Sequence, residues 1–151
     1  MVNDILDRPQ SGRFAGGEHR FACRVYFEDT DFTGVVYHAN YLRFMERARS
    51  DMLRVAGIDQ RAAFMAGEGA YAVARLDIRY QRPARLDDDL LILSRVIEAK
   101  AASCVIHQRV MRDGEGVAEA EVSVAFLGQD GRPRRQPAEW VAIFQALTGA
   151  S

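Results

Sequence analysis

The sequence predicts an α+β fold in which a five-stranded antiparallel sheet wraps one long helix. Two observations carry this. Apolar residues recur with a helical period over a single long stretch, 41 to 55, while five other stretches alternate apolar with polar residues as half-buried strands do. Short turn-like segments join the later strands, and short connections pair strands antiparallel. With 151 residues, 48% of them apolar, the chain has the length of one domain and the material for one core.

Residues 1–18 contain Pro9, Ser11, Gly12, Gly16 and Gly17 with little periodicity, and read as a flexible N-terminal tail before a domain at 19–151. Phe21, Cys23, Val25 and Phe27 then alternate with Arg20, Ala22, Arg24 and Tyr26, which predicts a first strand with one apolar face. The long helix follows, starting between His38 and Tyr41. Tyr41, Met45, Ala48, Met52 and Val55 fall on one face, Leu42 and Leu53 widen the stripe, and Gly57 is a stop signal. A short second helix is predicted over 59–66. Strand-like runs at 76–80, 90–97, 103–111 and 118–126 read as a four-stranded meander, with Asp113-Gly114 suited to a tight hairpin. Residues 138–147 read as a short terminal helix. A single sheet of this size leaves edges and a face to cover, which predicts a homo-oligomer.

Charge and composition exclude several classes. Lys and Arg number 20 and Asp and Glu 21, so nothing points to a nucleic-acid partner. Lys100 is the only lysine. No run of apolar residues is long enough for a membrane span. Cys23 and Cys104 lack CxxC spacing and read as small buried apolar residues in a reducing, cytoplasmic setting. No GxSxG or HExxH pattern is present, so neither a serine-hydrolase elbow nor a zinc site is indicated, and no cofactor is called for.

The chemistry concentrates in EDTDFTGVVYHANY, residues 28 to 41. A calcium loop starting at Asp29 would need a bidentate Glu at its twelfth position, which is Asn40. DTDFT resembles locally the nucleophile motif of haloacid-dehalogenase-type phosphatases, but that family needs a parallel doubly wound sheet, and the later strands here form hairpins. The third reading starts from the helix. Its first N–H groups lack intrahelical acceptors and carry the positive end of the macrodipole. They can polarise a carbonyl that gains charge during attack. Asp31, seven residues upstream of His38, supplies a carboxylate facing that carbonyl, as thioester hydrolysis requires. Gly34 lets the loop turn tightly.

VYFEDTDFTGVVYHANYLRFMERARSDML, residues 25 to 53, resembles the signature of the YbgC-type acyl-CoA thioesterases. These belong to the hot-dog fold superfamily, beside the 4-hydroxybenzoyl-CoA thioesterases. The likeness extends to YQRPARLDDDLLI, residues 80 to 92, and to the order of the later strands. It implies a hot-dog domain with Asp31 as the catalytic carboxylate, acting as nucleophile or as general base on water. It implies a polarising N–H on His38, whose side chain orients Asp31 or assists proton transfer. Tyr26, Gly34, Val36, Tyr37 and Tyr41 complete the motif and line the substrate. The substrate implied is acyl-CoA, with acyl carrier protein as a further partner. A homodimer or homotetramer is implied, in the cytoplasm, with a genomic association to the Tol–Pal envelope system. The fold also hosts hydratases and dehydratases that use a His and carboxylate pair, and a non-catalytic role binding acyl carrier protein or an envelope-system partner is a further alternative.

Other residues have plainer readings beside their functional ones. Asp29 reads as a loop brace. Glu46 is a helix carboxylate of the kind some hot-dog thioesterases use, yet Arg43, Arg47 and Arg49 nearby predict an ion pair. Arg82 and Arg85 flank Pro83 in a loop and are candidates to meet CoA phosphates. His107 alternates within a strand and reads as packing or interface.

Overall fold

The computed structural model describes residues 4–149, so the outermost part of the predicted tail, residues 1–3, lies outside the described residues. The sheet has strands β1 (Arg13–Ala15), β2 (Glu18–Arg24), β3 (Ala70–Tyr80), β4 (Asp89–Ala99), β5 (Ser103–Arg112) and β6 (Glu115–Leu127). The helices are α1 (Asn40–Val55), α2 (Gln60–Met65) and α3 (Ala138–Thr148). All strand pairs are antiparallel, in the spatial order β1-β2-β4-β5-β6-β3. This order excludes the parallel doubly wound sheet that the phosphatase reading needs.

One sheet face packs on α1. Phe21, Ile92 and Val110 stand in register across β2, β4 and β5, and Ile106, Val122 and Leu76 across β5, β6 and β3. Against them α1 buries Tyr41, Phe44, Met45, Ala48, Met52 and Leu53. Each large side chain removed from water contributes about 1.5–3 kcal/mol. These contacts hold α1 in the sheet's concavity, so its N-terminus is fixed by the core and not by a side-chain cap: the N-cap residue is Ala39.

Three expectations about the strands need correction. The sheet has six strands rather than five, because Arg13–Ala15, assigned to the tail, pair with Glu18–Arg20. The Gly12 N–H also donates to Asp51 at 2.9 Å, which ties this segment to α1. Second, the first strand stops at Arg24. Phe27 lies in a 3₁₀ turn, Phe27–Asp29, with 82% of its surface exposed. Pairing with β4 ends at Arg24 and Asp89, and Asp29 accepts the Tyr26 N–H to start the turn. Third, β3 does not join the meander. It pairs with β6 at the far edge, and residues 81–88 cross beneath the α1 N-terminus to reach β4. The Val36 N–H donates to the Ala84 carbonyl at 2.8 Å, and Val35 bridges Arg85. The crossover is thus held by the very segment that carries the acidic motif.

The helix stripe is also shifted from its expected face. Val55 is exposed, whereas Phe44 and Arg49 are buried. Glu46 makes no ion pair within bonding range among the described residues, contrary to the expectation. Along β3 no residue is fully buried, and its outer edge has no strand beside it among the described residues.

Candidate active site

The acidic segment forms a compact loop. Thr30 bridges Val36, the Asp31 N–H donates to the Val35 carbonyl at 2.8 Å, and Gly34 closes the turn at φ +82° by donating to the Asp31 carbonyl at 3.0 Å. A side chain at Gly34 would meet nothing in space; only the left-handed backbone asks for glycine there. Asp29 braces the base of the loop. Its carboxylate accepts from the Tyr26 N–H and from Asn40 Nδ2, and its carbonyl accepts the Tyr37 N–H at 2.9 Å. Through its carboxylate and its carbonyl Asp29 therefore links the turn after β2, the loop and the first residue of α1, which is the bracing role its position suggested.

Asp31 is disposed differently. Only Oδ1 is occupied, accepting from the Thr33 hydroxyl at 2.6 Å and the Thr33 N–H at 2.8 Å. Oδ2 has no protein donor among the described residues, and the side chain is open to solvent. The Thr33 hydroxyl and then its N–H hold the Asp31 carboxyl below the usual range, so it is ionised at neutral pH.

His38 begins the turn into α1. Its N–H and that of Ala39 donate to no acceptor among the described residues, while the next N–H, of Asn40, is taken by the Tyr37 carbonyl at 2.8 Å. The His38 ring lies between Tyr37, at 4.7 Å between centroids, and Tyr80, edge-on at 6.1 Å. The Tyr80 hydroxyl donates to the His38 carbonyl at 3.0 Å. No hydrogen bond joins the His38 ring to Asp31 among the described residues.

The remaining predicted residues divide into two groups. Tyr26 and Tyr37 are exposed beside the loop, and Val36 is buried beneath it. Tyr41 is buried too; its hydroxyl accepts the N–H of the buried Ala84 at 3.2 Å, so it supports the crossover from below. Arg85 pairs by its backbone with Val35 at the loop. Arg82 is engaged elsewhere, with Glu115 at 3.1 Å and the Gly116 carbonyl at 2.7 Å on the β5–β6 hairpin. His107, on the sheet's other face, pairs with Glu119 at 2.7 Å. Burial pushes the Cys23 and Cys104 thiols up to about 11, which keeps both unreactive. Three participants were missed from sequence: Thr33, Asn40 and Tyr80. Thr33 two residues after Asp31 carries a local signal, since Asp side chains bond backbone two residues on. Tyr80 carries none; only the crossover brings it to His38.

A carboxylate with one free oxygen stands on the loop that feeds a buried helix, and two unpaired N–H groups open that helix. The antiparallel sheet wrapped on α1, from which this loop projects, is the fold of the hot-dog thioesterases. The family model described as the thioesterase-like superfamily matches residues 25–146. The acyl-CoA thioesterase YbgC of Haemophilus influenzae is 44% identical over 129 residues, spanning 84% of this chain and 94% of that one. The acyl-CoA thioester hydrolase YbgC of Escherichia coli is 41% identical over 83% of this chain and 95% of that one. The crystal structure of a probable thioesterase from Bartonella henselae, 37% identical, superposes with a TM-score of 0.76 over 80% of this chain and 99% of that one. The chain belongs to the YbgC acyl-CoA thioesterases of the thioesterase-like superfamily.

Proposed function

We propose that the protein hydrolyses acyl-CoA thioesters to the free acid and CoA, with Asp31 as the working carboxylate. One observation carries the mechanism: Thr33 occupies Oδ1 of Asp31 and leaves Oδ2 free on the loop that leads to the unpaired N–H groups of His38 and Ala39. In this reading the thioester oxygen takes the place of an acceptor for those N–H groups. The α1 dipole and the two donors stabilise the oxygen as it becomes negative. Oδ2 of Asp31 supplies the electron pair, either to the proton of an attacking water or to the carbonyl carbon; on the second route the acyl–Asp31 anhydride left when CoA departs is then cleaved by water, which releases the acid and restores the carboxylate. CoA leaves as the thiolate. The His38 side chain flanks the carbonyl, fixed between Tyr37 and Tyr80, and Tyr26 and Tyr37 line the acyl-CoA path. Arg85, beside the loop, is the better placed of the two arginines to meet a CoA phosphate, since Arg82 is held on the hairpin.

The enzyme acts as a homo-oligomer in the cytoplasm, alongside the Tol–Pal system, on CoA or carrier-protein thioesters. The support for assembly is the long unpaired edge of β3 together with the exposed Phe27, Phe32 and Tyr37 around the loop. No helix among the described residues is long and apolar enough to cross a membrane. The test is thiol release from short, long and aromatic acyl-CoAs and from acyl carrier protein thioesters. Turnover of at least one class is expected; binding of every class without release would overturn the reading in favour of a non-catalytic partner role.

A further inference from the structure

The N–H groups that open α1 belong to peptide units whose carbonyls also need partners. The Ala39 N–H, one of the two left without an acceptor among the described residues, shares its peptide with the His38 carbonyl. In a regular α-helix that carbonyl accepts the N–H four residues on, which is that of Leu42. Here the Leu42 N–H turns to the Ala39 carbonyl at 3.2 Å instead. The donor to the His38 carbonyl comes from outside the helix: the Tyr80 hydroxyl, at 3.0 Å. Tyr80 is the last residue of β3 and pairs with Ala118 of β6, so the sheet sets the position of the hydroxyl. Its ring is held independently of that bond, edge-on to His38 at 6.1 Å and tilted on the buried Tyr41 at 5.7 Å between centroids. Partial burial raises the phenol above its usual pKa, so the O–H keeps its proton through neutral pH.

We infer that Tyr80 is a positioning residue for the oxyanion site: its hydroxyl fixes and polarises the His38–Ala39 peptide, and so aims and strengthens the Ala39 N–H that meets the thioester oxygen. The inference rests on the hydrolase reading above. A peptide carbonyl that accepts a hydrogen bond draws electron density from its own nitrogen, which makes the N–H a stronger donor. Linked hydrogen bonds strengthen one another by ~10–30% each. The thioester oxygen becomes negative only as the tetrahedral intermediate forms, so the gain falls on the transition state and not on bound substrate. One oxyanion donor is worth ~10²–10³-fold in kcat, and ~10–30% of that free energy is a factor of ~2–8. Tyr80 acts through the peptide, without touching the reacting atoms.

Tyr80→Phe deletes the hydroxyl and keeps the ring. Thiol release from the best acyl-CoA should show kcat lowered ~2–8-fold, with KM unchanged and Tm close to the native value. Inhibition by two CoA thioethers of equal length locates the loss. S-trifluoroacetonyl-CoA hydrates to a tetrahedral centre with an oxyanion-like oxygen, whereas S-propyl-CoA has no such oxygen. The first should bind Tyr80→Phe more weakly by the factor lost in kcat, and the second should bind both proteins equally. An unchanged kcat would overturn the positioning role. So would a KM that rises while kcat holds, or a weakening shared by S-propyl-CoA; either would make the Tyr80 hydroxyl a contact for bound substrate. The two readings fail separately. A native protein that releases no thiol from any thioester overturns the hydrolase reading and this inference with it, whereas native turnover matched by Tyr80→Phe overturns this inference alone.

Discussion

Replacing Tyr41 by Phe separates support of the site from contact with substrate. Tyr41 is 3% exposed, and its hydroxyl accepts the N–H of Ala84, which is 0% exposed, at 3.2 Å. The substitution deletes one oxygen and leaves the ring packed against Phe44 and Tyr80. A buried backbone donor then has no acceptor, which costs about 1–3 kcal/mol. For a chain of this length each kcal/mol lowers Tm by about 2–4 °C, so the variant should melt about 2–12 °C below the native protein. Ala84 belongs to the crossover that holds Val36 through its carbonyl, so the loss should also loosen the loop carrying Asp31 and reduce kcat more than it raises KM. Calorimetric melting together with steady-state thiol release reads both. An unchanged Tm with a KM raised at constant kcat would refute the supporting role and make the Tyr41 hydroxyl a direct substrate contact.

Two further outcomes follow from ionisation. Thr33→Val removes the strongest of the contacts that hold the Asp31 carboxyl low, so the acid limb of the pH profile of kcat/KM should move to higher pH; an unmoved limb would mean that Asp31 does not set it. His19 is fully buried, with Nε2 on Asp51 at 2.7 Å and Nδ1 without a partner among the described residues, and burial lowers its pKa below the usual 6.5 against the opposing pull of Asp51. The unfolded chain therefore takes up a proton near pH 6.5 that the folded chain refuses, and stability present above that pH is lost as pH falls through it. Urea midpoints measured across that window should drop on acidification in the native protein and drop less in His19→Gln; parallel curves would contradict this.

Most of the fold was legible because local periodicity decides it. The α1 stripe, the alternation in β4 to β6 and the Asp113-Gly114 turn are short-range signals, and the turn is found at φ +50° and +80°. The position of β3 was not legible. Its alternation marks a strand but not a neighbour, and the crossover through Ala84 and Arg85 depends on pairing with Val35 and Val36, some fifty residues earlier. Arg13–Ala15 read as tail because a three-residue strand is too short for a period to show; register with β2 makes it a strand. Within the site, the Asp31 loop could be read from its residues, and the arrangement of Asp29 and Asn40 only in outline. Tyr80 and the burial of Arg49 could not be read at all. Both arise from contacts across elements, and Arg49 breaks the expectation that a charged residue on an amphipathic helix faces water.

The central claim is that the free oxygen of Asp31 drives thioester cleavage. Thiol release from the best acyl-CoA, with EDTA present, should be compared between the native protein and Asp31→Asn, each with its Tm recorded. Asparagine keeps the size and the acceptor for Thr33 but loses the charge. The account predicts a loss in kcat of at least ~10²–10⁴-fold, the range of one acid–base group, at a Tm close to the native value. An Asp31→Asn protein that turns over as fast as the native one would contradict it.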